Sequence, residues 1–224
     1  MKIIAHMPAR IGSKRLSLKN LQDLNGQPVM HYGIKTALAV ESLSDVYVNT
    51  ESDIIINAVK DLPVKIYKRD PELSIDSVTQ DRFNYDFISK NPCDYFLLIN
   101  PICPLITKED ISNVIDFCIK GNFDSVFTTT KHETHGIFKD VPLNFKTTGH
   151  LERTQDLAPY FSINWAINMW KREAFIEAYE RDGYGVFIGN IGYFEIPNPR
   201  GLKINYEHDL MLAEALIRLQ TSKN

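Results

Sequence analysis

Short apolar runs alternate with segments of helical spacing along most of this chain. Residues 2–7 form an apolar run stopped by Pro8 and predict a buried strand, while Val29, Tyr32, Ile34 and Leu38 give residues 28–39 the spacing of a helix. A second strand is expected over 45–49, a helix over 52–61 with Ser52 or Asp53 at its cap, and a third strand over 64–67. Residues 79–89 read as another helix. The run Tyr-Phe-Leu-Leu-Ile within 94–99 lacks alternation, as expected of a mid-sheet strand covered on both faces. A helix starting at Thr107 carries Glu109 and Asp110 in its first turn and Val114, Ile115 and Cys118 on its apolar face, and a strand follows over 125–129. Such alternation implies a parallel sheet with helices on both sides.

Between residues 131 and 158 the pattern lapses into a polar stretch punctuated by Gly and Pro, too long for an ordinary connection. An inserted arm with its own role is expected there. Strand character returns over 163–169 and 191–196, and helices are expected over 172–179 and 209–220, the last with Leu210, Ala213, Leu216 and Ile217 on one face. No repeat or linker composition divides the chain. The expectation is one α/β domain over 1–224, with a mostly parallel sheet and an arm at 131–158.

Composition narrows the function classes. A chain of 224 residues, 44% hydrophobic and 24% charged, can bury a sizeable core. Its net charge of −3 offers no general attraction for nucleic acid but leaves room for a local cluster that grips a small polyanion. Cys93, Cys103 and Cys118 match neither a disulfide framework nor a zinc spacing, and the histidines show no ligand spacing. No segment approaches the ~20 apolar residues needed to span a bilayer, and the first apolar run is shorter than a signal-peptide core. A cytoplasmic protein without membrane or nucleic-acid partners is expected.

The chemistry concentrates directly after the first strand, where residues 8–20 pack Arg10, Lys14, Arg15 and Lys19 around Gly12 and Ser13. In open α/β sheets, ligands bind beyond the carboxyl ends of the strands. Gly12 and Ser13 allow close backbone approach and the cations supply point charges and forked donors, so the loop is suited to a polyphosphate. It lacks the Gly-Lys-Ser/Thr ending of a P-loop, and the chain has no G-x-G-x-x-G.

The stretch M-P-A-R-I-G-S-K-R-L-S-L-K-N-L resembles the opening I-P-A-R-x-G-S-K-R-L-P-x-K-N-L of the acylneuraminate cytidylyltransferase family, with Ser17 where that family prefers proline. The resemblance continues from Asn25-Gly26 to Met30, through residues 68–79, along the strand ending at Asn100-Pro101, and into residues 153–157, covering essentially the whole chain. It implies a Rossmann-like nucleotidyltransferase sheet and transfer of CMP from CTP to an acidic sugar, a 2-keto-3-deoxy acid of the sialic, legionaminic or pseudaminic kind, for a surface polysaccharide. By that resemblance Arg10, Lys14 and Lys19 hold the CTP phosphates and Asn20 places the reacting α-phosphate. Ala9, Gly12, Ser13, Arg69, Asp76 and Asn100 would contact the nucleotide, and Arg153, Gln155 and Asn164 the sugar. Similar enzymes are homodimers whose arm reaches the neighbouring site, a role that falls to 131–158. Two residues have other readings on their own chemistry: Arg69 as a surface ion pair with Asp70 or Glu72, and Asn164 as a strand-end turn residue. Trp165 replaces a usually small residue and would narrow the acceptor pocket. A 3-deoxy-octulosonate, a phosphonate, or a nucleotide-binding paralogue without chemistry are the alternatives.

The resemblance also implies Mg2+, held by an Asp-x-Asp before the last helix. Here the matching positions are Lys203 and Asn205, both without a carboxylate. Three explanations stand open: Lys203 supplies part of the positive charge, Glu207 or Asp209 binds metal from a shifted position, or catalysis is impaired. Asp209 has a further reading as a helix-start residue favoured by capping.

Overall fold

The computed structural model describes residues 1–221. Its main sheet is built from β1 (Ile3–Pro8), β4 (Asp45–Thr50), β5 (Lys65–Lys68), β6 (Tyr95–Ile99), β7 (Ser125–His132), β10 (Tyr160–Lys171) and β11 (Ile191–Glu195), and two small hairpins pair β2 (Asp23–Leu24) with β3 (Gln27–Pro28) and β8 (Ile137–Phe138) with β9 (Val141–Pro142). Strand order in the main sheet is β11-β7-β10-β6-β1-β4-β5. The helices are α1 (Val29–Leu38), α2 (Asp53–Ala58), α3 (Gln80–Lys90), α4 (Lys108–Lys120), α5 (Arg172–Asp182) and α6 (Glu207–Thr221).

The unbroken apolar runs of β1 and β6 follow from burial on two faces. Ile3, Ala5 and Met7, with Leu97 and Ile99, turn into one core with α1 and α4, where Ile34, Ile111 and Val114 are fully buried. Ile4, Phe96 and Leu98 turn into the other, against Phe87 and Ile88 of α3 and Phe175 of α5. The start of α4 is fixed by a capping box in which Thr107 Oγ1 accepts from Asp110 N–H and the Asp110 carboxylate accepts from Thr107 N–H, an arrangement that contributes about 1 kcal/mol. A third, smaller cluster of Leu24, Val29, Ile102, Ile204 and Ala213 ties the first hairpin and α6 to the end of β6.

All main-sheet pairings are parallel except those of β10, which runs antiparallel to both β6 and β7. The reversal has a simple cause: no crossover helix separates β7 from β10, so the chain returns as a long hairpin. Of the excursion expected over 131–158, residues 133–158 lie between the two strands, while Lys131 and His132 belong to β7, His132 pairing with Tyr160 in the ladder with their rings stacked at 4.8 Å. The first of these strands therefore continues beyond the expected 129, and the second begins ahead of the expected 163. Helix α2 stops at Ala58, short of the expected 61. No helix of the described residues is long and apolar enough to cross a membrane.

Strands β1, β4 and β6 deliver the segments that follow Pro8, Thr50 and Ile99 to one edge of the sheet. The bulge in β10, where pairing with β7 shifts between Ile163 and Asn168, lies beside that same edge, since Asn100 N–H donates to Ala166 O at 2.9 Å.

Candidate active site

At this edge the loop after β1 frames a cleft of about 440 Å³, lined by Arg10, Gly12, Ser13, Lys14, Arg15, Lys19 and Asn20 and faced by Asp76 and Asn100 to Ile102. The loop is shaped internally. Buried Asn20 donates through Nδ2 to Arg10 O at 3.0 Å, closing the loop on itself, and Lys19 to Leu21 form a single 3-10 turn. A Cβ on Gly12 would meet no protein atom within 4 Å, so what glycine preserves is open space beside the loop. Ala9 is fully buried and its N–H is bonded to Asn49 O at 2.9 Å, which makes it part of the loop's anchor.

Two of the cations converge on one carboxylate. Arg10 Nη1 lies 2.6 Å from Asp76 Oδ1 and Lys14 Nζ 2.5 Å from Asp76 Oδ2, while Arg10 Nη1 also donates to Ser74 O at 3.0 Å. Hydrogen bonds from Lys14 and Arg10, with their charges, hold the Asp76 carboxyl below its ordinary range. The pair is exposed, so a phosphate group can displace the carboxylate at little cost.

Arg69 does not line the cleft and does not pair with Asp70 or Glu72. Only 4% exposed, it turns inward, donating from Nη2 to Glu51 Oε2 at 3.2 Å and from Nε to Ser74 Oγ at 2.8 Å, with its guanidinium over the Phe83 ring. Asp70 instead caps the following 3-10 turn by accepting from Glu72 N–H. Glu51 completes a brace: Oε2 also accepts from Ser74 Oγ at 2.7 Å, and Oε1 accepts from Ile11 N–H at 3.1 Å. Burial alone would raise the Glu51 carboxyl, but the Ser74 bond, backbone N–H bonds and the Arg69 charge outweigh it and hold it low. Arg69 thus acts on the cationic loop through Glu51. No motif or spacing marks Glu51, and Ser74 is singled out by none although it lies in the resembling stretch 68–79; the available signal for Glu51 is that it follows β4, the neighbour of β1.

A wall behind Lys19 and Ile102 comes from a distant part of the chain, its residues backing the cleft and not lining it. Residues 203–205 belong to no helix or strand. Ile204 is fully buried and donates to Ile102 O at 2.9 Å, leaving Lys203 and Asn205 half-buried on either side. Asn205 Oδ1 accepts from Lys19 Nζ at 3.3 Å. Burial, reinforced by Arg15, Lys203 and Arg10 and opposed by Cys103, brings the Lys19 ammonium down to about 8.

Asn100 is held in one pose, Nδ2 donating to Trp165 O at 3.2 Å and Oδ1 accepting from Ile102 N–H at 3.4 Å, with a second proton and lone pair left for a ligand. Asn164 is engaged within the bulge: Oδ1 accepts from Thr128 Oγ1 at 2.6 Å and Ala166 N–H at 3.0 Å, and Nδ2 donates to Thr130 Oγ1 at 3.1 Å. These bonds support Trp165 at φ +62°, a left-handed conformation unfavourable for a bulky residue. The Trp165 ring packs against Phe127 and Phe187 and lines a separate, largely apolar hollow with Gln80 and Tyr184. Arg153 and Gln155 lie outside the cleft, exposed on the arm, where Arg153 pairs with Asp156 at 2.6 Å.

Magnesium requires hard oxygen donors in near-octahedral array. The residues present do not fit it. Lys203 and Asn205 occupy the positions expected to carry carboxylates, and Asp209 is committed to the start of α6, where Oδ2 accepts from Asn205 N–H at 2.8 Å and Tyr206 N–H at 2.9 Å. Glu207 is exposed in the first turn of that helix. Among the described residues no group of three or more His, Cys, Asp or Glu is placed to hold a metal.

Comparison with known proteins agrees with this geometry. The profile of the cytidylyltransferase family matches residues 4–209. An N-acylneuraminate cytidylyltransferase of Streptococcus agalactiae serotype V is 29% identical over 195 residues, covering 79% of this chain and 45% of that protein. The chain thus spans a little under half the length of this streptococcal relative. A pseudaminic acid cytidylyltransferase of Campylobacter jejuni is 24% identical over 232 residues, covering 98% of this chain and 97% of that one. In fold, a CMP:2-keto-3-deoxy-manno-octonic acid synthetase complexed with CTP superposes with a TM-score of 0.73 at 17% identity, covering 98% of this chain and 100% of the other. With the match running from the first strand into the last helix, this chain belongs to the cytidylyltransferase family.

Proposed function

We propose that this protein transfers CMP from CTP to a 2-keto-3-deoxy sugar acid of the nonulosonic type, releasing pyrophosphate, in the supply of a surface polysaccharide. The observation that carries the reading is the cationic loop closed over the cleft by Asn20, in a chain with this family's profile. The anomeric hydroxyl oxygen attacks the α-phosphorus, the bond from that phosphorus to the α–β bridging oxygen breaks, and the hydroxyl proton passes to solvent. Arg10 and Lys14 leave Asp76 for the phosphates, while Lys19 neutralises charge building on the leaving pyrophosphate. Asn100, already oriented, offers one donor and one acceptor to the base edge.

The arm fits a role between two copies. Ile137, Phe138 and Val141 are each more than 60% exposed on its hairpin, an apolar surface suited to burial against a second chain. A homodimer would carry Arg153 and Gln155 toward the acceptor side of the neighbouring cleft. The direct test is pyrophosphate release from CTP with a panel of sialic, legionaminic, pseudaminic and 3-deoxy-octulosonic acids, with magnesium and with EDTA. Release requiring both CTP and one acid supports the reading and names the acceptor; CTP binding with no release for any acid refutes the transferase.

A further inference from the structure

The cations around the cleft differ in what balances them. Arg10 and Lys14 share the Asp76 carboxylate. Among the described residues Arg15, Lys19 and Lys203 meet no carboxylate. The Arg15 guanidinium lies 5.7 Å from the Tyr206 ring centroid, Lys19 has one amide oxygen, and Lys203 adds to the positive field that acts on Lys19. Gathering cations without counter-charge at a half-buried wall is unfavourable in the free protein, and a bound polyanion relieves it.

The wall cannot readily rearrange to present a carboxylate instead. Ile204 is sealed in the third core cluster and bonded to Ile102 O. Asp209 would have to release two backbone N–H groups to leave the helix start, and Glu207 lies exposed beyond them. A divalent cation arriving here meets an ammonium and an amide within the field of Lys19 and Arg15. Asp76, the carboxylate lining the cleft, is already held by two cations.

We propose that the cleft takes its nucleoside triphosphate as the metal-free anion, the Lys203 ammonium providing part of the positive charge that a divalent cation would bring and Asn205 holding Lys19. This rests on the CTP reading above and specifies the form of the substrate that the site selects. Chelation by magnesium would lower the charge of the triphosphate that these cations attract, so the magnesium complex is the poorer ligand.

The test is isothermal titration of the full chain with CTP, once in EDTA and once in excess magnesium. The unsubstituted protein is expected to bind CTP in EDTA at least as tightly as in magnesium. Lys203→Ala is expected to weaken binding in EDTA about tenfold, the loss of one charge-assisted contact, while Lys203→Arg retains most of it. Thermal unfolding of each variant confirms that the comparison is between folded proteins. CTP binding seen only with magnesium, or unchanged by Lys203→Ala in EDTA, overturns the inference and leaves the cytidylyltransferase reading intact. Absence of CTP binding in both arms by the folded protein overturns both.

Discussion

Replacing Asn164 with alanine is expected to cost about 3 kcal/mol of stability, because the carboxamide is the pin of the β10 bulge. Its three hydrogen bonds, to Thr128, Ala166 and Thr130, contribute about 1 kcal/mol each. Trp165 is held at φ +62° by these contacts, a conformation that costs about 1–2 kcal/mol for a residue with a side chain, so about 3 kcal/mol is the upper end and relaxation of that strain lowers it. With a urea slope of about 2–3 kcal/mol/M for a chain of this size, the midpoint should fall by about 1 M. Urea unfolding followed by tryptophan fluorescence measures it, and a cycle with Thr128→Val isolates the shared bond. The two substitutions should be less than additive, since each removes the 2.6 Å contact. CTP affinity should fall together with stability, because Asn100 hangs on the Trp165 carbonyl. A midpoint unchanged within error, with affinity for the acidic sugar alone reduced, would refute the reasoning and make Asn164 a substrate contact. The close neighbour offers a control: a Cβ at Gly201 would come within 2.6 Å of Asn164 Nδ2, so Gly201→Ala should reproduce the effect in weaker form.

Other expectations follow from charge. Asp76→Asn frees Arg10 and Lys14, so tripolyphosphate should bind more tightly and with a steeper dependence on salt; weaker binding would show that Asp76 contacts the ligand. Lys19 loses its proton in the free protein near pH 8, facing Arg15, Arg10, Lys203, Asn205 and Cys103, so CTP affinity should decline as pH rises through about 8. Lys19→Arg should keep its affinity to pH 9.5, and an unchanged profile would dismiss Lys19 as a phosphate ligand. His6, stacked on Phe87 and wholly buried, is brought from 6.5 down to about 3 by burial, then by the Arg69 charge, against the opposing influence of the Asn84 side chain. The unfolded chain therefore binds a proton that the folded one refuses, and stability falls as pH drops from 6.5 toward 3, by up to about 1.4 kcal/mol per pH unit. His6→Phe should flatten that part of the urea-midpoint profile, and identical slopes would place the acid sensitivity elsewhere.

The architecture was legible where one element's pattern suffices. The apolar Tyr95–Ile99 run has no polar face, and it lies beside β1 with helices on both sides. The cationic loop was legible because its cations and glycine are contiguous. What escaped depends on residues far apart in sequence. Nothing local tells that β10 is reversed, since its direction is set by a hairpin return through an arm without periodicity. Glu51 and Ser74 act together only because β4 and β5 bring their loops beside the loop of β1. Arg69, readable as an exposed partner of Asp70 or Glu72, is buried because that brace gives it a better counter-charge. Asp209 shows the opposite case, for its bond back to Tyr206 N–H is a local interaction readable from sequence, although the helix begins at Glu207 and not at the expected 209.

The bond from Lys19 to Asn205 joins residues 186 positions apart, and the bond from Ile204 to Ile102 closes the same wall. During folding the cationic loop can form from the first segments alone, but the wall behind it exists only once the segment before α6 has docked. Nucleotide binding is therefore a report on completion: it should appear late in refolding and favour the fully assembled chain over any partly folded form. On the proposed function, a nucleotide that stabilises the last docking step would make the cleft a checkpoint on assembly.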